Sequence, residues 1–322
     1  MYNAAGLVES LSGSVVEIAG GGGPVNLVLL GKNPTQQRRE MNNSISTRGE
    51  TGPTQGYVLG HSDRELNRLA VQARLVDPIS RGFFQAAGII AGMRVLDVGS
   101  GAGDVAFLAA ELVGETGEVV GVDRSATAVA LARQRAGALS LRNVSFREGD
   151  PTSMTFEKAF DAVIGRYVLM FQPDPTMMLR GVAAHVRPGG VVVFHEPDWD
   201  GARSFPQVPT YERCCRWIVE TLSRSGADPR MGIKLHGAFV GAGLPAPSLK
   251  LESVIGGGAS SSDQVHFKTD LACTLVSEME RLGIATASEV DAETLAERVL
   301  DEVVQCAGVV VGRSEIGAWS RA

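Results

Sequence analysis

Two patterns of apolar residues, one typical of strands and one typical of helices, follow each other regularly between residues 93 and 196. Short apolar runs rich in valine, isoleucine and leucine predict buried strands, whereas longer stretches with apolar residues three or four positions apart predict helices. The predicted strands are 94–98, 118–122, 144–148, 159–165 and 191–196, and the predicted helices among them are 103–112, 126–138 and 174–186. This alternation is typical of a doubly wound α/β fold with a mostly parallel sheet.

Two helices are predicted before the first of these strands. Ser62–Glu65 has the residue types of a helix capping box, and apolar residues at helical spacing follow it to about Val76. Pro78 lacks a backbone N–H and is favoured at the start of a helix, so a second helix is expected from Ile79 to Ile90.

Residues 1–55 combine a glycine run with a long polar stretch, and this composition predicts a flexible N-terminal arm. Met41 is a second candidate for the start of the natural chain, with the preceding residues as an upstream extension. We assign no chemistry to the arm.

The pattern changes after Trp199. We expect residues 56–200 to form the α/β core, and residues 201–322 to add helical insertions that act as a lid and strands that complete a seven-stranded sheet. The turn-forming run Arg187–Gly190 is expected to stop the chain before strand 191–196. Helices are predicted at 209–225, 234–242, 270–282 and 287–305, and strand-like runs at 248–254 and 308–311.

Composition narrows the possible partners. Hydrophobic residues make up 44% of the chain, which is enough for a sizeable core, and the net charge of -6 provides no positive field for nucleic acid or a membrane surface. The four cysteines lack CxxC spacing, which favours a reducing compartment. No apolar run approaches the roughly 20 residues that span a bilayer. We therefore expect a cytoplasmic protein with a small-molecule ligand, and a homodimer is a candidate assembly.

The segment Val95–Asp104 has the pattern of a ligand site. An apolar strand runs into the glycine-rich turn Gly99–Gly103, which opens the next helix. In a doubly wound sheet, glycines at this turn let the backbone approach a nucleotide. Asp123 ends the following strand, about 20 residues beyond the last glycine, where a carboxylate can accept hydrogen bonds from both ribose hydroxyls.

An NAD-dependent oxidoreductase would share these features, and Asp104 is the residue that argues against it. The dinucleotide fingerprint GxGxxG has its third glycine at this position. An acid at the helix N-terminus competes with a pyrophosphate for the positive end of the helix dipole. Asp97, near the strand end, suits a positively charged ligand instead. The sequence thus favours a cationic nucleoside without phosphate.

Four motifs taken in order, LDVGSGAGD at 96–104, VVGVD at 119–123, EGD at 148–150 and VRPGG at 186–190, resemble the class I S-adenosylmethionine-dependent methyltransferases, especially bacterial small-molecule and quinone-pathway enzymes. The resemblance spans roughly Tyr57 to Glu196 and implies a Rossmann-like sheet of seven strands. It also implies S-adenosylmethionine as cofactor and methyl transfer to an oxygen, nitrogen or carbon atom of a small, largely apolar molecule. A member of the same fold that binds the cofactor without methylating remains an alternative.

The resemblance also implies a set of cofactor contacts. Gly99, Ser100 and Gly101 would pass beneath the methionine and ribose portions, and Asp123 would hold the ribose. The remaining implied contacts are Arg124 and Pro151 beside the adenine, Asp150 on the adenine amino group, and Tyr57 and Arg166 near the methionine carboxylate. Arg124 departs from the apolar residue often found at its position, although its guanidinium can stack on the ring.

His195 and Glu196 are the candidate catalytic residues. Methyl transfer mainly requires alignment and exclusion of water, but a phenol, amine or carbon acid also needs a general base. Both residues end the fifth strand at the ligand-binding edge, and strand alternation points them to opposite sides. With Asp198 and Asp200 they also resemble ligands for a hard divalent ion, but their spacing is irregular and we predict no metal.

Overall fold

The computed structural model describes the backbone of residues 16–18, 25–27 and 63–322, and side chains from residue 74 onward. The chain divides into two compact units, Met1–Gly56 and Tyr57–Ala322. In the first unit, strand β1 (Val16–Ile18) pairs antiparallel with β2 (Val25–Leu27). The predicted arm, residues 1–55, otherwise lies outside the described residues.

The second unit begins with alternating helices and strands. In chain order these are α1 (Asp63–Ala86), β3 (Arg94–Val98), α2 (Asp104–Val113), β4 (Glu118–Asp123), α3 (Ala126–Ala138), β5 (Val144–Glu148), β6 (Phe160–Arg166), α4 (Pro175–Ala183) and β7 (Val186–Asp198). A short 3-10 helix, Leu169–Phe171, lies between β6 and α4, and another, Trp199–Gly201, follows β7.

The C-terminal part is mostly helical. Its elements are β8 (Arg203–Phe205), α5 (Pro209–Arg224), α6 (Met231–Gly241), β9 (Ser248–Glu252), β10 (Ile255–Gly257), α7 (Ser262–Thr274), α8 (Val276–Leu282), α9 (Ala287–Val290), α10 (Leu295–Gln305), β11 (Val309–Val311) and β12 (Ser314–Arg321). A third 3-10 helix, Gly258–Ser261, precedes α7.

A seven-stranded sheet has the order β5-β4-β3-β6-β7-β12-β9. The first five strands in that order are parallel, and β12 runs antiparallel to both β7 and β9. The predicted doubly wound, mostly parallel sheet is therefore confirmed. Because its five parallel strands point the same way, their carboxyl ends lie along one edge, where ligands bind in such folds.

Hydrophobic side chains pack on both faces of this sheet. Successive strand residues point to opposite faces, so Val95 belongs to one core cluster and Leu96 to the other. The first cluster includes Val113 and Val129 from α2 and α3, and the second includes Phe239 from α6. Both faces are thus covered by helices, which explains why the strands are apolar runs without alternation. No helix among the described residues combines the length and apolar character needed to cross a bilayer.

The prediction that Pro78 separates two helices was wrong, since α1 runs through it without interruption. A proline inside a helix removes one backbone hydrogen bond and adds a steric clash. Here the residues around it are buried: Val76, Ile79 and Phe83 are at most 7% exposed. Their burial offsets the cost of the proline.

Strand β7 also begins earlier than predicted. It includes the expected stop Arg187–Gly190, and Gly189 adopts a positive φ of 76° within it. The C-terminal residue explains the difference, because Ala322 accepts a hydrogen bond from the Gly189 N–H and donates one to the Gly190 carbonyl. These two hydrogen bonds keep residues 187–190 extended. The segment is therefore an irregular part of β7 and not the boundary before it.

The run 308–311 was expected to join the main sheet, and this was wrong. Strand β11 instead lies between β10 and β8 in a separate antiparallel sheet of three strands. The eight residues of β12 already pair with residues 191–198 of β7, so this part of β7 has no free side for β11. The predicted helices 270–282 and 287–305 are each divided, at Leu275 and at the left-handed Asp291.

We predict that Gly121→Ala destabilises the fold by about 1–3 kcal/mol, because a Cβ there would lie 2.5 Å from Phe146 Cδ1 and 3.0 Å from Ser100 Cβ. Gly137→Ala is the matched control: Gly137 lies in α3, and its Cβ would meet no atom within 4 Å. Urea denaturation of both variants measures the difference. Equal stability of the two variants would contradict the close packing of Phe146 and Ser100 against Gly121 in β4.

Candidate functional site

The glycine turn after β3 lies at the carboxyl edge of the sheet. Gly99, Gly101 and Gly103 have positive φ angles of 66°, 51° and 95°, which favour glycine. A Cβ on Gly99 would lie 2.8 Å from Val168 Cγ2, and one on Gly103 would lie 2.7 Å from Phe107 Cζ. A Cβ on Gly101 would meet nothing within 4 Å. The backbone at Gly101 therefore borders open space in which a ligand can approach it.

Asp97 carries a buried carboxylate next to this turn. Its exposure is 1%, and neither carboxylate oxygen has a hydrogen-bond partner among the described residues. Burial raises the pKa of Asp97 well above its ordinary value, and the charge of Arg166 opposes this. The Ser100 hydroxyl is likewise buried without a partner in the described part of the chain. Buried polar groups usually have partners, so these atoms are suited to a ligand.

Asp123 connects the end of β4 to the glycine turn. Its Oδ2 accepts a hydrogen bond from the Gly101 N–H at 2.9 Å, and its Oδ1 accepts one from the Ser125 N–H at 2.8 Å. Ser125 in turn caps α3, since its hydroxyl accepts from the Ala128 N–H. The carboxylate thus fixes the position of Gly101, and its partial exposure leaves it accessible.

Arg124 and Asp150, which follow β4 and β5, form an ion pair at 2.6 Å. The other carboxylate oxygen of Asp150 accepts hydrogen bonds from the N–H and hydroxyl of Thr152. Although partial burial raises it, these hydrogen bonds hold the pKa of Asp150 below its ordinary value. Pro151 is buried, and its carbonyl lies 2.7 Å from His185 Nε2. The three residues predicted around the adenine therefore lie together.

Asp104 begins α2 and forms an ion pair with Arg135 at 2.6 Å. Arg135 also donates to the carbonyl of Ala102 at 2.7 Å. The acid that departs from the dinucleotide fingerprint thus supports the glycine turn through Arg135.

Arg166 is buried at the end of β6 and joins it to α1. Its Nη1 donates to Asp77 Oδ1 at 2.6 Å and to Ser80 Oγ at 3.1 Å. Its guanidinium carbon lies 5.8 Å from the centre of the Tyr167 ring. The charge of Arg166 thus acts on Asp97, whose pKa it lowers, and Ser80 connects Arg166 to His195 on β7.

His195 is fully buried between two polar groups. Its Nδ1 lies 3.0 Å from Ser80 Oγ and its Nε2 lies 3.0 Å from Glu315 Oε2. Burial lowers the pKa of His195, which makes the ring neutral at neutral pH. Although burial raises it, the charge of Arg313 and hydrogen bonds from His195 and Tyr167 bring the pKa of Glu315 to about 2. Because an ionised carboxylate only accepts, His195 donates from Nε2 and its Nδ1 accepts from Ser80.

Glu196 points to the other side of β7, as strand alternation predicts. Its carboxylate accepts hydrogen bonds from the backbone N–H groups of Val168, Leu169 and Met170 at 2.8, 2.7 and 3.3 Å. Burial raises the pKa of Glu196 to about 8, and the three donors oppose this. The side chain therefore positions the loop after β6. The catalytic role of His195 and Glu196 stays a prediction.

Sequence reasoning missed Tyr167, Arg313 and Glu315. Tyr167 has a φ of 57°, which is rare for a residue with a side chain, and its hydroxyl donates to Glu315 at 2.8 Å. Arg313 Nε donates to the other oxygen of Glu315 at 2.9 Å. The available signal was the pair of charged residues, Arg313 and Glu315, that follows the apolar run 308–311. The bonds that join Glu315 to Tyr167 and His195 connect residues more than 100 positions apart, so they gave no local pattern.

The remaining predicted residues lie elsewhere. Tyr57 is outside the described residues. Asp200 forms an ion pair with Arg230, and Asp198 accepts from the Asp200 N–H. Within residues 63–322, no group of three or more His, Cys, Asp or Glu side chains has an arrangement that could hold a metal ion. Two surface cavities, of about 760 and 360 Å³, are lined by residues at the opposite end of the sheet, such as Glu118 and Val191.

Comparisons with known proteins agree with this geometry. Residues 89–226 match a family model described as a methyltransferase domain. The chain is 34% identical over 149 residues to the aklanonic acid methyltransferase of Streptomyces sp. (strain C5), which covers 46% of this chain and 66% of that protein. It is 36% identical over 133 residues to the 2-phytyl-1,4-naphtoquinone methyltransferase of Synechococcus elongatus, which covers 40% and 55%.

The chain therefore spans about half to two thirds of the length of these curated relatives. Among solved structures, a Bacillus halodurans protein assigned as a methyltransferase has a TM-score of 0.50 and 16% identity, and covers 74% of this chain and 96% of that chain. The similarity to this solved structure concerns the fold alone.

We predict that the stability of the wild type falls relative to Glu196→Gln as pH rises from about 5 to 8. A pKa near 8 in the folded state and near 4.5 in the unfolded state means that the folded protein binds the extra proton in this range. The stabilisation is complete below the unfolded pKa and is lost at about 1 kcal/mol per pH unit up to the folded one. Chemical denaturation at several pH values measures this difference. A constant difference would mean that the three backbone donors keep Glu196 ionised throughout.

Proposed function

We propose that the chain is a class I S-adenosylmethionine-dependent methyltransferase, which transfers a methyl group from S-adenosylmethionine to a small, largely apolar molecule. Its likeness to a methyltransferase-domain family and to small-molecule methyltransferases supports this proposal. The observation that carries the proposal is the buried, unpartnered carboxylate of Asp97 beside the open backbone of Gly101. A cationic ligand at this turn would satisfy the carboxylate, whereas a pyrophosphate would be repelled by it.

The residues around the turn fit this cofactor in their chemistry. When bound, S-adenosylmethionine supplies an electrophilic methyl group on a positively charged sulfur. Asp97 would attract its positive charge, and the half-exposed Asp123 would accept from the ribose hydroxyls. The other residues proposed to hold it are Gly99, Ser100 and Gly101 along the turn, Arg124, Asp150 and Pro151 at the adenine, and Tyr57 and Arg166 at the methionine carboxylate.

Three observations support a small acceptor. Residues from α5, α6, α7 and α10 pack in one core cluster with the sheet, and we propose that they form a lid over its carboxyl edge. Such a cover suits a metabolite better than a macromolecule. The net charge of -6 also disfavours nucleic acid. The two relatives described above are named for small molecules, aklanonic acid and a naphtoquinone.

We propose His195 rather than Glu196 as the general base. The His195 ring is neutral at neutral pH and has a basic nitrogen, Nδ1, shared only with the Ser80 hydroxyl. Glu196 uses both oxygens to bind backbone N–H groups. His195 would take up a proton from the acceptor through Ser80, and Glu315 would stabilise the resulting charge.

We predict that Asp97→Asn weakens S-adenosylhomocysteine binding at least tenfold in calorimetry, because the amide cannot pair with the ligand's ammonium group. The melting temperature should not fall, since the substitution removes an unpaired buried charge from the folded state. Asp301→Asn, at an exposed position of α10, is the control and should bind as the wild type does.

Unchanged affinity in Asp97→Asn would refute the assignment of Asp97. Binding of NADH in preference to S-adenosylhomocysteine by the wild type would refute the proposed function itself. If the wild type binds S-adenosylhomocysteine but converts no S-adenosylmethionine with a panel of phenols, amines and polyketides, the chain is a member of the fold that does not methylate these classes.

We predict that His195→Gln lowers kcat about 100-fold or more on an acceptor of that panel that must lose a proton. Affinity for S-adenosylhomocysteine should stay within about twofold, which separates lost catalysis from misfolding. His236→Gln, at an exposed position of α6, is the matched control. Full turnover by His195→Gln would exclude the histidine as base.

A further inference from the structure

Two cations are buried together next to Tyr167. Lys268, on α7, is 1% exposed, and Arg313, just before β12, is 6% exposed. Lys268 Nζ lies 4.3 Å from the centre of the Trp199 ring and 5.2 Å from that of Phe267. Arg313 Cζ lies 5.1 and 5.2 Å from the same two rings. We call these residues, Tyr167, Trp199, Phe267, Lys268 and Arg313, the cationic cluster.

The charge of this cluster is only partly balanced. Arg313 pairs with Glu315 through its Nε, at 2.9 Å. Lys268 Nζ forms no hydrogen bond or ion pair with the residues that the structure describes. Burial lowers the pKa of Lys268 to about 8, and the charge of Arg313 acts in the same direction. The ammonium is therefore mostly protonated at neutral pH, and the one carboxylate of the group, Glu315, pairs with Arg313 and not with Lys268.

The cluster also holds hydrogen-bond donors that lack acceptors. Arg313 Nη2 and Trp199 Nε1 are buried, and neither has a partner within residues 63–322. Together with Lys268 Nζ they are three groups that can only donate. Proteins seldom bury such donors unpaired, because the lost hydrogen bonds to water are not replaced. A group that accepts several hydrogen bonds and carries negative charge would satisfy these three donors.

The cluster adjoins the proposed methyl-donor site. Arg313 Cζ lies 4.7 Å from the centre of the Tyr167 ring, and Arg166 Cζ lies 5.8 Å from the same ring. The charge of Arg166 also acts on Asp97. The Tyr167 ring, which belongs to the cationic cluster, therefore contacts both Arg313 of the cluster and Arg166, one of the residues proposed for the cofactor.

We propose that the cationic cluster binds an anionic oxygen group of the methyl acceptor, with Lys268, Arg313 and Trp199 as donors and the aromatic rings as walls for an aromatic body. This inference rests on the proposed function, since it names the substrate class of the same site. The shared chemistry is an anionic oxygen on an aromatic or polycyclic molecule, which a carboxylate or an ionised phenol would supply.

Calorimetry of the full chain with three probes tests this proposal: 2-naphthoate, the neutral 2-naphthamide and 2-naphthol. At pH 7 the wild type should bind 2-naphthoate at least tenfold more tightly than 2-naphthamide. In Lys268→Met this preference should fall to less than threefold, whereas Lys268→Arg should retain it. Lys234→Met, which removes an exposed lysine of α6, should keep the wild-type preference. Tight binding of 2-naphthol instead of 2-naphthoate would identify a phenol as the source of the anionic oxygen.

The melting temperature of Lys268→Met distinguishes a structural role of Lys268 from a role in binding the ligand. If its ammonium only stabilised the aromatic rings, Lys268→Met would lower the melting temperature. If the Lys268 ammonium binds an anionic ligand instead, the melting temperature of the ligand-free Lys268→Met variant should stay the same or rise, because a buried unpaired charge disfavours folding. Equal affinity for naphthoate and naphthamide, including no measurable binding of either, would overturn the proposal unless 2-naphthol binds at least tenfold more tightly than both and loses this preference in Lys268→Met. Titration with S-adenosylhomocysteine on the same samples tests the proposed function separately, so failure of one leaves the other standing.

Discussion

One buried carboxyl group without a hydrogen-bond partner determines which ligand this site can bind. The Asp97 carboxylate lies at the end of β3, removed from water, and no hydrogen bond from the described residues compensates it. Burial of an unpaired carboxylate is costly, and the protein retains it at the point where the backbone at Gly101 is open. The fold creates this situation, because five parallel strands end at one edge and each brings polar residues there.

The opposite charge accumulates a short distance along the same edge. Two buried cations, Lys268 and Arg313, lie near Tyr167, and only Arg313 pairs with Glu315. Arg313 Nη2 and Trp199 Nε1 have no acceptor within residues 63–322. We propose that the positively charged methyl donor binds beside Asp97 and that the anionic acceptor binds at the cationic cluster. The two ligands would then complete the electrostatics that the chain alone leaves open. Methyl transfer between such partners mainly requires that they are aligned and shielded from water, and the proposed binding of both ligands at one edge would align them.

The predictable part of the fold is the part encoded by local pattern. The glycine turn, Asp123 and the five parallel strands follow from periodicity and from spacing within about 20 residues. The continuation of α1 through Pro78 and the entry of β7 could not be predicted, because distant burial and pairing with Ala322 decide them. The same holds for the site: the turn was visible in the sequence, whereas Glu315 reaches His195 and Tyr167 only through the pairing of β12 with β7.

The most direct measurement is a crystal structure of the full chain with S-adenosylhomocysteine. We predict electron density for the nucleoside along the turn from Gly99 to Asp104, with the amino group of the ligand within hydrogen-bond distance of the Asp97 carboxylate. An empty turn at saturating ligand, or a ligand bound elsewhere with Asp97 still unpaired, would contradict it.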